Sequence, residues 1–193
     1  MTTEKKKSVI NRLKSMYPLR ALVDGMYEKA VEAAKEGKPV AWCMVNWWGG
    51  DAILRAMDVA CVYPEDYGAV CAAFGAAPNY LARSDADGFP THMCGYARNC
   101  LGYAAVLKEK GQIPEGTPLA GMPKPTLLLS SGYFCDTRYK WFEALGRYLD
   151  APHWLLEMPH PGVKESRIPG ARQHDIDFLV SELREFAAFV ENL

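Results

Sequence analysis

The chain has 193 residues, 49% of them hydrophobic, which is enough apolar surface to bury one sizeable core and argues against a disordered polymer. Its 22 basic residues face 23 acidic ones, so a formal net charge of -1 gives no field to recruit nucleic acid or an anionic membrane. The charged start, Met1-Thr2-Thr3-Glu4-Lys5-Lys6-Lys7, is no apolar signal core, and no run approaches a membrane span, so a cytoplasmic protein with free thiols is expected.

Leu13, Met16, Leu22, Met26, Ala30 and Ala33 recur at mostly helical separations between Ser8 and Lys35, and Glu36-Gly37-Lys38-Pro39 stops them. One or two helices therefore lead the domain. Val40-Ala41-Trp42-Cys43-Met44-Val45, nearly all apolar and bounded by Pro39 and Gly49-Gly50, reads as a strand buried on both faces. Asp51 to Asp58 reads as a helix with Asp51 as its N-cap. Val59-Ala60-Cys61-Val62-Tyr63 is a second apolar run, stopped by Pro64, and Glu65 to Phe74 returns to helix.

Ala77 to Ala86 is helical, Asp87-Gly88-Phe89-Pro90 makes a turn, and Gly95 to Lys110 has helical composition behind Cys94. A loop rich in Pro and Gly, Gly111 to Pro125, leads to the clearest strand, Thr126-Leu127-Leu128-Leu129-Ser130. Asp136 to Leu149 is helical, His153 to Met158 is a further strand, and Asp175 to Leu193 is a long amphipathic helix. Strands alternating with helices imply an α/β, Rossmann-like parallel sheet of about four strands, covered on both faces and preceded by the helical lead. The whole of 1–193 reads as a single α/β domain.

In such a fold, ligands bind beyond the carboxyl ends of the strands. Those ends are Asn46-Trp47-Trp48-Gly49-Gly50, Tyr63-Pro64-Glu65, Ser130-Ser131-Gly132-Tyr133-Phe134-Cys135 and Pro159-His160-Pro161-Gly162. Trp47, Trp48, Tyr133 and Phe134 would wall a pocket with apolar surface. Cys135 follows its strand and precedes a helix whose positive end would favour the thiolate, and Cys94 opens another helix beside Tyr96 and Arg98. Simple burial is the alternative for both. Cys43, Cys61 and Cys71 lie in apolar elements and read as packing residues, and the C-x5-C spacing of Cys94 and Cys100 matches no common metal pattern.

His92, His153, His160 and His174 include no i, i+4 metal pair. Gly49-Gly50 lacks the Lys-Ser/Thr of a P-loop, no G-x-G-x-x-G follows a strand, and Ser130-Ser131-Gly132 is no nucleophile elbow. Nucleotide binding and serine hydrolysis are therefore not expected. Asp51, Glu65, Asp66 and Asp136 place carboxylates near the crevice, where proton transfer or helix capping would use them.

Several stretches, in order across nearly the whole chain, carry a family resemblance: Lys38-Pro39-Val40-Ala41-Trp42, Ala56-Met57-Asp58-Val59, Val62-Tyr63-Pro64-Glu65, Gly88-Phe89-Pro90-Thr91-His92-Met93-Cys94-Gly95-Tyr96-Ala97-Arg98, and Cys135-Asp136-Thr137-Arg138-Tyr139-Lys140-Trp141-Phe142-Glu143. Together they resemble the N-terminal portion of a subunit of the 2-hydroxyacyl-CoA dehydratase and benzoyl-CoA reductase family. The resemblance implies two related subunits, each holding a [4Fe-4S] cluster through three cysteines with one iron site open. Cys94 and Cys135 match the first two ligand positions, and the third is expected beyond Leu193, in a longer subunit. A replacement by Cys43, Cys71 or Cys100 is the alternative.

Cys43-Met44-Val45-Asn46-Trp47-Trp48 and Asn99-Cys100-Leu101-Gly102 look closest to benzoyl-CoA reductase subunits, and a flat ring could stack on Trp47 or Trp48 with Glu65 in the same pocket. The implied activity of the parent complex is one-electron reduction of an aromatic acyl-CoA thioester. The alternatives are dehydration of an (R)-2-hydroxyacyl-CoA through a ketyl radical, and a non-catalytic scaffold or truncated family member. The implied partners are a homologous iron–sulfur subunit in a heterodimer, ATP-hydrolysing electron activators and the acyl-CoA substrate. Whether the isolated chain is itself an enzyme stays open.

Overall fold

Pro39 and the apolar run behind it set the centre of the sheet, because a strand buried on both faces needs neighbours on both edges. The structure, a computed structural model, describes residues 13–44, 49–132, 135–159 and 172–193. Its elements are α1 (Met16–Lys35), β1 (Val40–Cys43), α2 (Gly50–Ala56), β2 (Ala60–Val62), α3 (Pro64–Ala73) and α4 (Ala77–Ala86). They continue with α5 (Gly95–Lys110), a 3-10 turn at Pro118–Ala120, β3 (Leu127–Ser131), α6 (Thr137–Leu149), β4 (His153–Leu156) and α7 (Gln173–Glu191).

The four strands form one parallel sheet in the order β2-β1-β3-β4. Ala41 pairs with Cys61 on one side and Leu127 on the other, and Leu129 pairs with Trp154. Side chains alternate across the pleat, so the sequence of each strand feeds two cores. Val40, Trp42, Val62 and Leu128 join α1, α3, α4, α5 and α6 in one core. Ala41, Cys43, Cys61, Leu127, Leu129 and Leu156 join Leu54 of α2 and Phe186 and Val190 of α7 in the other. The fold class expected from the alternating pattern is thus the one observed.

Aromatic side chains fasten the long Pro/Gly loop to the larger core. The Tyr67 and Tyr103 rings meet edge to face at 5.4 Å, and Tyr80 and Tyr103 at 5.2 Å. Their polar tips reach the loop: Tyr67 donates to the Pro118 carbonyl at 3.0 Å, Tyr103 to the Met122 carbonyl at 2.8 Å, and the Trp42 indole to the Pro123 carbonyl at 2.8 Å. A buried Tyr or Trp needs such a partner, and a loop needs its carbonyls satisfied, so each requirement answers the other. On the neighbouring surface α4 and α5 approach so closely that a Cβ on Gly102 would lie 1.8 Å from the Tyr80 carbonyl oxygen.

Two capping expectations fail. Gly49, with φ at +92°, caps α2, and the Asp51 side chain accepts instead from the Tyr63 hydroxyl at 2.8 Å. Asp136 precedes α6 without bonding its backbone, because its carboxylate is held by Tyr139 and Lys140. Strands β2 and β4 are shorter than the runs expected to form them, and β3 is Leu127–Ser131 rather than Thr126–Ser130. Among the described residues, no helix is long and apolar enough to cross a membrane.

Candidate functional site

The chain leaves β1 toward β2 on one side and resumes at β3 on the other, so the strand order reverses between β1 and β3. At such a reversal an open α/β sheet forms its binding crevice, outside the carboxyl ends of the strands. Gly49 to Asp51, Gly132 and Cys135 flank it, and the first turns of α3, α5 and α6 stand along the same edge.

Two contacts tie those helix starts together, and a third holds the turn before α5. Arg138, buried in the first turn of α6, places Nη2 at 3.7 Å from Oε2 of Glu65 in the first turn of α3. Tyr96, in the first turn of α5, covers Gly68 of α3, where a Cβ would meet the Tyr96 ring at 3.0 Å. Arg98 pulls back the turn before α5 by donating to the Thr91 carbonyl at 3.1 Å while pairing with Asp85. Cys94 is the residue immediately before α5, and its carbonyl accepts from the Arg98 amide at 3.0 Å. Cys135 sits two residues before α6, its carbonyl accepting from the Arg138 amide at 3.2 Å.

The six cysteines divide sharply by environment. Cys94 and Cys135 are exposed, and Cys43, Cys61, Cys71 and Cys100 are buried. Hydrogen bonding to Cys61 and full burial both push the Cys43 thiol up, and burial does the same to Cys71 and Cys100. These thiols stay protonated and pack, as their apolar surroundings require.

Among the described residues, buried polar side-chain atoms without a hydrogen bond are spread over α2, α4, α5, α6, β3 and β4. Two of them, Ser131 Oγ at the end of β3 and Asp51 Oδ1, lie beside the crevice. Buried polar atoms are nearly always satisfied, and a functional role is one reason for an exception. Burial raises the Asp51 carboxyl above its ordinary range, against the lowering effect of the Tyr63 hydroxyl and of Arg55. Tyr63 is itself raised, chiefly by burial.

Glu157, just past β4, is a residue that sequence pattern did not single out. Its carboxylate lies over Gly132, 2.6 Å from where a Cβ would stand, and its amide donates to Glu182 Oε2 at 3.2 Å. Only the register of β3 against β4 brings it there, and one-dimensional spacing carries no sign of that. His153 and Ser130, 2.6 Å apart between Nε2 and Oγ, form a second unforeseen pair beneath α6.

Of the other expected site residues, Glu65 stands at the crevice edge, half-buried, and His92 is exposed in the turn before Cys94. Trp47, Trp48, Tyr133, Phe134 and His160 lie outside the described residues. For an iron–sulfur cluster, Cys94 and Cys135 are donors of the right kind, presented outward at helix starts. They do not complete a set: among the described residues no group of three or more His, Cys, Asp or Glu side chains could hold a metal.

The sequence profile described as "2-hydroxyglutaryl-CoA dehydratase, D-component" matches residues 47–193. The chain is 30% identical over 151 residues to the (R)-phenyllactyl-CoA dehydratase alpha subunit of Clostridium sporogenes, covering 78% of this chain and 35% of that protein. It is 32% identical over 138 residues to the lactoyl-CoA dehydratase subunit alpha of Anaerotignum propionicum, covering 68% and 32%. It is 27% identical over 164 residues to the (R)-2-hydroxyisocaproyl-CoA dehydratase alpha subunit of Clostridioides difficile, covering 85% and 36%. The chain therefore spans about a third of the length of these relatives. All three are named as dehydratases, so the likeness favours the alternative reading of the sequence over the reductase one.

Proposed function

The chain belongs to the family of the 2-hydroxyglutaryl-CoA dehydratase D-component, and from that premise we propose that it is the crevice-bearing part of an (R)-2-hydroxyacyl-CoA dehydratase subunit. The reaction removes the 2-hydroxyl and a hydrogen from the neighbouring carbon, giving the 2-enoyl-CoA and water. One observation carries the reading. The two cysteines that are exposed while the other four are buried stand before α5 and α6, at helix starts tied through α3 to the mouth of the β1/β3 crevice.

Cys94 and Cys135 would be two ligands of a [4Fe-4S] cluster, with the remaining ligand from outside the described residues. When bound, the cluster supplies one-electron chemistry that the side chains cannot. The chain's own part is to hold the thiolates outward at the positive ends of two helices and keep carboxylates within reach of the crevice. Glu65 is the proposed proton carrier, with Arg138 fixing its position. A second, related subunit and an ATP-hydrolysing electron donor are the partners this chemistry requires.

The test is anaerobic reconstitution of the complex formed by the chain, its related subunit and the electron donor. An (R)-2-hydroxyacyl-CoA should be converted to its enoyl-CoA while benzoyl-CoA is untouched, and Cys94→Ala and Cys135→Ala should each lower bound iron and activity together. Turnover of benzoyl-CoA alone would restore the reductase reading. A complex whose iron content ignores both substitutions would leave the chain a scaffold.

A further inference from the structure

The edge of the domain opposite the crevice holds a cavity of about 750 Å³, formed where α1, α5 and α6 end. That volume lies within the range of small-molecule sites, roughly 300–1,000 Å³. Its floor is apolar: Leu107 and Leu149 are almost wholly buried, and Val31 and Ile113 close the sides. Its mouth is cationic, with Lys35, Lys108 and Lys124 against the one carboxylate of Asp150.

The cations among the described residues divide into those paired with a carboxylate and those that are not. Arg20, Lys38, Arg83, Arg98 and Lys140 all sit within ion-pair distance of a carboxylate. Among the described residues, Lys35, Lys108 and Lys124 have no such pair. Lys35 and Lys108 complement the negative ends of α1 and α5, which by itself would account for them. Lys124 belongs to no helix. It lies in the loop that Trp42 and Tyr103 fasten through Pro123 and Met122, so its backbone is held at the rim by buried hydrogen bonds.

We propose that this cavity binds a small amphipathic anion, its apolar body against Leu107, Ile113 and Leu149 and its anionic head among Lys35, Lys108 and Lys124. Desolvated apolar surface supplies the affinity, and the lysines set the sign of the head group. A carboxylate and a phosphate monoester share this chemistry. The site is independent of the crevice, so a ligand here would act on the protein without entering the reaction.

The chain is titrated by calorimetry with octanoate, octyl phosphate, octanol and acetate. Octanoate or octyl phosphate should bind one to one, with octanol and acetate weaker by about tenfold or more. The stronger of the two anions identifies the head group. Lys108→Ala combined with Lys124→Ala should weaken that anion by about tenfold without altering the circular dichroism or melting temperature, whereas Lys140→Ala, on the first turn of α6 at the other end of that helix, should leave it unchanged. Octanol binding as tightly as octanoate, affinity indifferent to the double substitution, or no binding by either anion overturns the proposal. If the double variant proves unstable, Ile113→Glu serves in its place, since a carboxylate in the cavity should repel the anion and spare octanol.

Discussion

Glu65 Oε2 lies 3.7 Å from Arg138 Nη2, joining residues 73 positions apart across the mouth of the crevice. The Glu65 side chain keeps 40% of its surface in contact with solvent, so the pair adds at most about 1 kcal/mol to stability. Its value lies in position. Glu65→Gln should leave the melting temperature nearly unchanged and lower dehydration by about a hundredfold or more, as expected for loss of a proton carrier. Full activity in the reconstituted complex would remove Glu65 from the chemistry.

Two glycines make a matched pair for testing the packing. In Gly102→Ala the new methyl would meet the Tyr80 carbonyl oxygen at 1.8 Å, a backbone atom that cannot step aside without separating α4 from α5. A loss of about 3 kcal/mol is expected in urea unfolding. In Gly132→Ala the atoms nearest the methyl are the carboxylate end of Glu157, which is exposed and free to swing away. That variant should stay within about 1 kcal/mol of the parent. Equal losses in the two would mean that α4 and α5 are not as closely seated as described.

Such placements show where sequence pattern runs out. Strand β1 is legible because Val40 to Met44 are apolar without interruption, the mark of a strand buried on both faces. Helix α5 is legible from its composition and from Gly111, which ends it in the left-handed conformation at φ +65°. Asp51 misleads because a capping Asp and an Asp that binds a distant tyrosine look alike before the fold brings Tyr63 to it. Glu157 and the Ser130–His153 pair are silent for the same reason: each depends on the alignment of β3 with β4, a long-range match that local spacing does not encode.

His153 gives the domain an acid-side weakness. Burial lowers its pKa below the ordinary 6.5, with Glu143 pulling weakly the other way. The unfolded chain therefore binds more protons than the native one between the lowered value and 6.5, and stability rises with pH across that window. It should be fully present above pH 6.5, decline as the pH falls through 6.5, and level off below the folded pKa. Denaturant midpoints measured from pH 7.5 downward check this, with His153→Gln as control. The variant can keep a hydrogen bond to Ser130 but cannot titrate, so it should lose this part of the slope. An unchanged slope would assign the acid sensitivity to other groups.

The division of the cysteines makes a prediction that needs neither substrate nor partner. Thiol–disulfide exchange with an aromatic disulfide reagent requires an accessible sulfur and a thiolate. Cys94 and Cys135 are exposed, whereas the other four are buried, and for Cys43, Cys71 and Cys100 burial also disfavours the thiolate. The native chain should titrate as two fast thiols, with four more released only on unfolding, and peptide mapping should find the fast label on Cys94 and Cys135. Repeating the labelling after anaerobic incubation with ferrous iron and sulfide separates accessibility from ligation. Cluster assembly should protect both fast thiols together. Protection of neither, with the iron remaining in solution, would show that the two exposed sulfurs do not hold a cluster without the rest of the ligand set.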